Sequence, residues 1–309
     1  MNRYQTVKPE QKYTVKQFDR EFPDEDACLE YIKDKRWPDG RCLCVHCGVE
    51  RKHYRVTGRT AYACHACGNH IYPLSGTIFH KSTTSLRTWF YVIRLMSSTR
   101  VGVSAKHIQR ETGVTYKTAW RMMKQIRKLM AETINLSGAV EIDEAHFGGS
   151  DENKPKHLRG RRKTPVLGMV ERDGRVVAQV IPDAKTGTLV KAVRKTIEAG
   201  SFITTDEYNP YTAVAHNHYS HVTVNHSKGY VVDGAHTNTI EGFWSLVKRG
   251  ISGVYYQVGV EYLQSYLNEY AFRWNRRRIM RPMFSLLAER TVIQVCPSAR
   301  EQKLLSQPE

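Results

Sequence analysis

Three acidic residues stand far apart along this chain, each in a setting where a carboxylate can do chemistry. Asp143 ends the strand "AVEID" in the run "AVEIDEAHFGG", Asp206 lies in "SFITTDEYNPY" and Glu241 in "HTNTIEGFWSLVKRG". Alternation in the first run puts Glu141 and Asp143 on one face and Val140 and Ile142 on the other. Asp206 ends a strand before a turn at Asn209-Pro210. Glu241 starts a helix with an apolar stripe of Ile240, Phe243, Trp244, Val247 and Ile251 and a polar stripe of Glu241, Ser245, Lys248 and Ser252. Cleavage or transfer at a phosphodiester needs an activated oxygen nucleophile and charge neutralisation on the leaving oxygen. Two divalent cations about 3.5–4 Å apart supply both, and hard oxygen ligands hold them. Carboxylates on two strand ends and one helix suit that task. Plainer readings stay open: Glu241 as the capping-box partner of an Asn238 N-cap, Asp143 as a solvated strand-end acid, and Asp206 as the start of a turn.

A second constellation is made of sulfur. Of seven cysteines, five lie between Cys42 and Cys67. Cys44 and Cys47 form one C-x-x-C pair, Cys64 and Cys67 another, and Gly48 and Gly68 follow the pairs. Two such knuckles present four thiolates at tetrahedral corners, the donor set of a closed structural Zn²⁺ site. A redox role is the weaker reading, because no thioredoxin-like βαβ pattern surrounds the cluster. Cys42 reads as a bystander, and Cys28 and Cys296 as ordinary thiols.

The elements that must position these groups fall into an ordered series. Residues 1–36 form an N-terminal helical segment, and 37–80 the zinc-ribbon module. Residues 81–135 are helical, and part of that stretch resembles a helix-turn-helix: Ser104 caps a helix carrying Ala105 and Ile108, Gly113 makes the turn, and a second helix buries Ala119, Met122, Ile126 and Leu129. An α/β region follows over 136–292, with a hairpin turning at Asp173-Gly174 and a helix over "TGTLVKAVRKTIEAG" ended by Gly200. Residues 293–309 read as a tail.

Charge and composition narrow the partners. Lys+Arg 47 against Asp+Glu 30 gives a net charge of +17, which favours a polyanion, nucleic acid before membrane, since no basic amphipathic anchor helix is evident. No run approaches a membrane span, and the N-terminus lacks the apolar core of a signal peptide. The expected location is the cytoplasm. Lys117, Arg121 and Lys124 on the second helix of the helix-turn-helix are candidate DNA contacts, unless that helix packs inside the protein. The run "KPKHLRGRRK", with Arg161, Arg162 and Lys163, reads as a phosphate-binding loop, and "FRWNRRRIMRP", with Arg273, Arg276, Arg277 and Arg278, as a backbone clamp.

Taken in order, "WPDG", the two C-x-x-C pairs, "GTIFH", the helix-turn-helix, "EIDEAHFGG", "TDEYNPY", "HTNTIEGFWSLVKRG" and "YLNEYAFRWNRR" resemble the DDE insertion-sequence transposases with an N-terminal zinc ribbon, the ISXO-like group. The resemblance covers about residues 20–290. It implies an α/β catalytic domain of RNase H-like fold, with a mixed five-stranded sheet and helices, acting in a prokaryotic, nucleoid-associated setting. By position, Asp143, Asp206 and Glu241 match the three acids, holding Mg²⁺ or Mn²⁺, and Lys248 matches the lysine seven residues beyond the third; Arg249 adjoins it as a further DNA contact. Cys42 departs from the usual pattern. The implied substrates are double-stranded DNA, both the terminal inverted repeats of the element and its target. Pairing two ends implies at least a homodimer on DNA and no membrane partner. Two rivals remain: a zinc-ribbon and helix-turn-helix regulator with a catalytically silent α/β domain, and an RNase H-like nuclease acting on hybrids or junctions.

Overall fold

The computed structural model describes residues 8, 10, 12–148, 163–206, 219–224 and 237–292. The chain divides into two compact units. One comprises Met1–Leu129 with Ile279–Glu309, and the other Met130–Arg278.

Capping chemistry sets the helices of the first unit. Thr14 opens α1 (Val15–Glu21) through a capping box with Gln17, and Asp24 caps α2 (Glu25–Arg36), which has acids in its first turn and bases in its last. Four short antiparallel strands follow in order: β1 (Arg41–Cys44), β2 (Val49–Arg55), β3 (Tyr62–Cys64) and β4 (His70–Ile71). Ser85 caps α3 (Leu86–Ser98), whose face of Leu86, Trp89, Phe90, Ile93 and Met96 is buried. Residues 99–104 interrupt what the sequence alone suggests is a continuous helical region. Ser104 then caps α4 (Ala105–Thr112), and Gly113 ends it in the left-handed conformation at φ +73°. The next helix, α5 (Tyr116–Leu129), buries Ala119, Met122, Ile126 and Leu129 as its spacing requires. The aromatic core gathers Phe18, Phe22, Phe90 and Phe284, the last from α9 (Met283–Arg290). Because α9 groups with α3 here, the second unit closes at Arg278 rather than at the 292 boundary read from sequence.

The second unit is a mixed α/β structure. Its five-stranded sheet has the order β7-β6-β5-β8-β9, from β5 (Ala139–Phe147), β6 (Thr164–Glu171), β7 (Val176–Val180), β8 (Phe202–Thr205) and β9 (Ser220–Thr223). The β5–β6–β7 side is antiparallel and the β5–β8–β9 side parallel. Asp173 takes φ +61° in the expected hairpin turn. One face buries Val140, Ile142, Leu167, Met169 and Ile203 under α6 (Thr186–Thr196). That helix stops at Thr196, short of the expected Gly200, because Ile197 turns to extended backbone and its neighbour Leu136 bridges to it. The other face packs Ala145, Phe147, Val166, Val170 and Val176 against α7 (Asn238–Gly250) and α8 (Val260–Asn275). A π-helical turn, Ile251–Tyr255, joins those two helices.

Two glycines fix how closely α7 approaches. A Cβ on Gly168 would lie 2.3 Å from the Trp244 ring, and one on Gly250 would lie 1.8 Å from the Tyr270 hydroxyl. The edge strand β7 is closed by side-chain amides from α8. Asn275 accepts from the Val176 N–H and donates to its carbonyl, while Gln264 accepts from the Val180 N–H and donates to the Ala178 carbonyl. The helix thus supplies hydrogen bonds that a sixth strand would otherwise make.

Candidate active site and metal centre

The parallel pairing of β5 and β8 ends with Glu141 opposite Thr204; Asp143 lies two residues on in β5, on the face of Glu141, and Asp206 follows directly after the end of β8. Both are half-buried. Strand β5 runs on past Asp143 to Phe147, so Asp143 is a mid-strand residue and not the strand end that the sequence suggests. Gly168 lies opposite Asp143 on β6, and Trp244 of α7 occupies the space the missing side chain leaves.

Glu241 approaches from α7, exposed and one turn ahead of Trp244. Its carboxylate accepts the Thr237 hydroxyl at 3.0 Å. Thr237, not Asn238, is the N-cap residue, and it makes no side-chain cap hydrogen bond. The capping-box alternative for Glu241 is therefore corrected: the glutamate sits at the fourth helical position, one past the place from which such a side chain reaches back.

The acids sense one another. Burial pushes the Asp143 carboxyl up to about 6, and the charges of Asp206 and Glu241 add to that rise, against the Glu144 backbone N–H and the Trp244 side chain, which favour ionisation. The Trp244 indole N–H is buried and closes no full hydrogen bond. Among the described residues, the acids are not gathered as tightly as the cysteines: only Cys44, Cys47, Cys64 and Cys67 form a group whose donor atoms all lie within 4.8 Å of one another. Wider spacing is natural for like charges, and two cations held between carboxylates need more room than one ion caged by four ligands.

Glu141, two residues before Asp143, is a buried acid whose role the sequence left unassigned. It is 1% exposed. One carboxylate oxygen accepts the Thr239 N–H at 2.9 Å and the Ile240 N–H at 3.1 Å; the other accepts the Thr239 hydroxyl at 2.8 Å. Arg172 Nε stands 3.8 Å away. The free N–H groups of the first turn of α7 are thus met by a strand residue. The only sequence signal was an acid sharing a strand face with Asp143.

In the first unit, the four cysteines meet the donor requirement of a zinc ribbon. Gly48 and Gly68 take φ +68° and +71°, and their N–H groups donate to the carbonyls of Cys44 and Cys64, both at 2.9 Å. The Cys47 backbone N–H aimed at Cys44 lowers that thiol to about 6, towards the thiolate a metal needs. Cys42 points elsewhere. It is buried with its sulfur 3.3 Å from His53 Nδ1, and burial raises its thiol to about 11.

The basic candidates divide by environment. Lys248 and Arg249 are exposed on α7, and Lys117 is exposed on α5. Arg121 and Lys124 are half-buried, with Arg121 5.6 Å from the Trp89 ring centre and Lys124 5.2 Å from that of Trp120. Lys163 precedes β6, half-buried, while Arg161 and Arg162 lie outside the described residues, as does His236.

The arginines expected as a clamp at the end of α8 have partners within their own unit. Arg273 is 6% exposed and paired with fully buried Glu269 at 2.5 Å, with the Tyr255 hydroxyl also donating to that glutamate. Arg276 binds Glu132, at 2.6 Å through Nη1, and lies over Phe272. Arg277 donates to the carbonyls of Gly174 and Trp274 and covers the Trp274 ring. Arg278 donates to Asp173. These guanidiniums tie the helix end to its own unit, mainly at the β6–β7 hairpin, because buried or satisfied donors stabilise the interior more than they serve an external phosphate.

Comparisons with known proteins place the chain among transposase sequences. Residues 135–275 match a family described as "ISXO2-like transposase domain", and residues 23–70 one described as "Transposase zinc-ribbon domain". An "Uncharacterized protein in transposable element ISH50" of Halobacterium salinarum is 29% identical over 254 residues, 75% of this chain and 84% of that protein. An "Uncharacterized transposase-like protein" of Haemophilus influenzae is 27% identical over 105 residues, 34% of this chain and 85% of that protein. A solved structure, "CryoEM structure of simian T-cell lymphotropic virus intasome in complex with PP2A regulatory subunit B56 gamma", aligns over 59% of this chain and 65% of that one at 12% identity. Its TM-score of 0.28 is too low to carry a conclusion about fold. No helix among the described residues is long and apolar enough to cross a membrane. One family match falls on the unit that carries the acids and the other on the cysteine ribbon, so the chain carries an ISXO2-like DDE transposase domain preceded by a transposase zinc ribbon.

Proposed function

We propose that this transposase binds the ends of an insertion sequence and carries out metal-dependent strand cleavage and strand transfer in its second unit, which we read as RNase H-like. The observation that carries the reading is that the charges of Asp206 and Glu241 both reach Asp143, adding to the rise that burial gives its carboxyl.

The donor set fits hard divalent cations: half-buried carboxylates on and after two neighbouring strands and an exposed one on α7. Bound there, Mg²⁺ or Mn²⁺ would supply nucleophile activation and charge neutralisation at the scissile phosphodiester. Asp143 and Asp206 hold the cations from the rigid sheet, and Glu241 closes the site from α7. Lys248, exposed two turns along the same helix, meets DNA phosphate beside the cleavage point, and Arg249 extends that contact. Trp244 excludes water from the apolar side of Asp143. In the first unit, the cysteine quartet fits one structural Zn²⁺, and α4 and α5 form a helix-turn-helix that presents Lys117 to the terminal repeat. Joining two ends calls for at least a dimer on DNA.

Asp143→Ala is expected to abolish Mg²⁺-dependent cleavage and strand joining on a DNA carrying the element's ends while leaving end binding within a few-fold of the parent. Unchanged cleavage would remove Asp143 from the site.

A further inference from the structure

We infer that Glu141 is a positioning residue for the acid site: it fastens the first turn of α7, and with it Glu241, to the strand that carries Asp143, and so governs divalent-cation affinity without touching the cation. The inference rests on the acid-site reading given above. Its ground is geometric. Glu141 and Asp143 are two residues apart on one face of β5, and Glu141 holds the N–H groups of Thr239 and Ile240, the residues directly before Glu241. The Thr239 hydroxyl completes the cradle.

The helix has no such fastening of its own. Its N-cap residue makes no side-chain cap hydrogen bond, the Thr237 hydroxyl being directed to Glu241. The first-turn N–H groups of a helix need acceptors and favour negative charge, and here a residue 98 positions earlier provides both. A simple cap would serve equally well from Thr237. A cap from β5 instead fixes the helix start against the sheet, the relation that decides whether Glu241 and Asp143 can share cations. Both Glu141 oxygens are engaged by donors at 3.1 Å or less and the side chain is 1% exposed, so its carboxylate is committed to the helix start. Partners that orient metal ligands in this manner typically change metal affinity by about 10–100-fold when lost.

The test is Mn²⁺ binding to the zinc-loaded full-length chain, followed by the electron paramagnetic resonance signal of free Mn²⁺ well below the unfolding temperature. Glu141→Gln keeps the size but turns an NH₂ group towards existing donors, and should weaken Mn²⁺ by about 10–100-fold. Thr239→Val removes only the hydroxyl donor and should weaken it roughly fivefold, the worth of one hydrogen bond; it carries the test should Glu141→Gln fail to fold. A lowered thermal midpoint alone would be the mark of an ordinary cap. Folded variants with parental Mn²⁺ affinity would overturn the positioning role. A parent chain with no Mn²⁺ site that Asp143→Ala abolishes would overturn the acid-site reading itself, and this inference with it.

Discussion

At the scale of single residues, Asp143 carries a cost that the site's chemistry explains. Its carboxyl stands near 6 against an ordinary 3.8, first through burial and then through the charges of Asp206 and Glu241. A raised folded pKa means that the folded chain holds this proton while the unfolded chain has released it. Stability from this group is therefore present below about pH 4 and is lost as pH rises to about 6. Asp143→Asn should accordingly stabilise the metal-free protein at pH 7, by up to about 3 kcal/mol, and flatten the pH dependence between 4 and 6. Urea titrations at pH 5 and 7 measure both effects, and a destabilised Asn variant would contradict the assignment. The strand that carries Asp143 was legible from its alternation, although it runs on to Phe147. Glu141 was not, since its meaning depends on a helix start 98 residues away.

At the scale of elements, α7 and α8 work through close contact with the sheet. Gly168→Ala would drive a methyl group into the Trp244 ring. The expected loss is about 1–3 kcal/mol, with a parallel fall in divalent-cation affinity as α7 lifts from Asp143. Denaturant midpoints and Mn²⁺ titration read the two effects, and loss of stability without loss of affinity would separate the helix seat from the site. On α8, Arg273→Ala strands Glu269 in the interior, and about 3–5 kcal/mol of stability should go with it. A phosphate clamp would instead lose DNA affinity at constant stability, and the same denaturation experiment distinguishes them. The arginine run reads as a basic patch because "FRWNRRR" has that composition. Only the fold reveals the carboxylate and carbonyl groups, Glu269, Glu132 and Gly174, that engage it. Helix and strand order was readable from capping residues and alternation, whereas the early end of α6 was not, because a tertiary bridge at Ile197 decides it.

At the scale of the whole molecule, the cysteine ribbon and the proposed acid site lie in separate compact units. A strong zinc chelator should therefore unfold the ribbon and leave the near-ultraviolet signal of the second unit's Trp244 and Trp274 in place; simultaneous loss of both would show that the units do not fold separately. The net charge of +17 calls for DNA affinity that falls steeply with salt as counterions are displaced, and affinity flat between low and moderate salt would remove the phosphate contacts from the account. The central claim is spatial, and diffraction at the manganese absorption edge from crystals grown with Mn²⁺ tests it most directly. The account predicts anomalous density enclosed by Asp143, Asp206 and Glu241 in the parent chain and absent in Asp143→Ala; manganese bound elsewhere, with those three carboxylates bare, would contradict it.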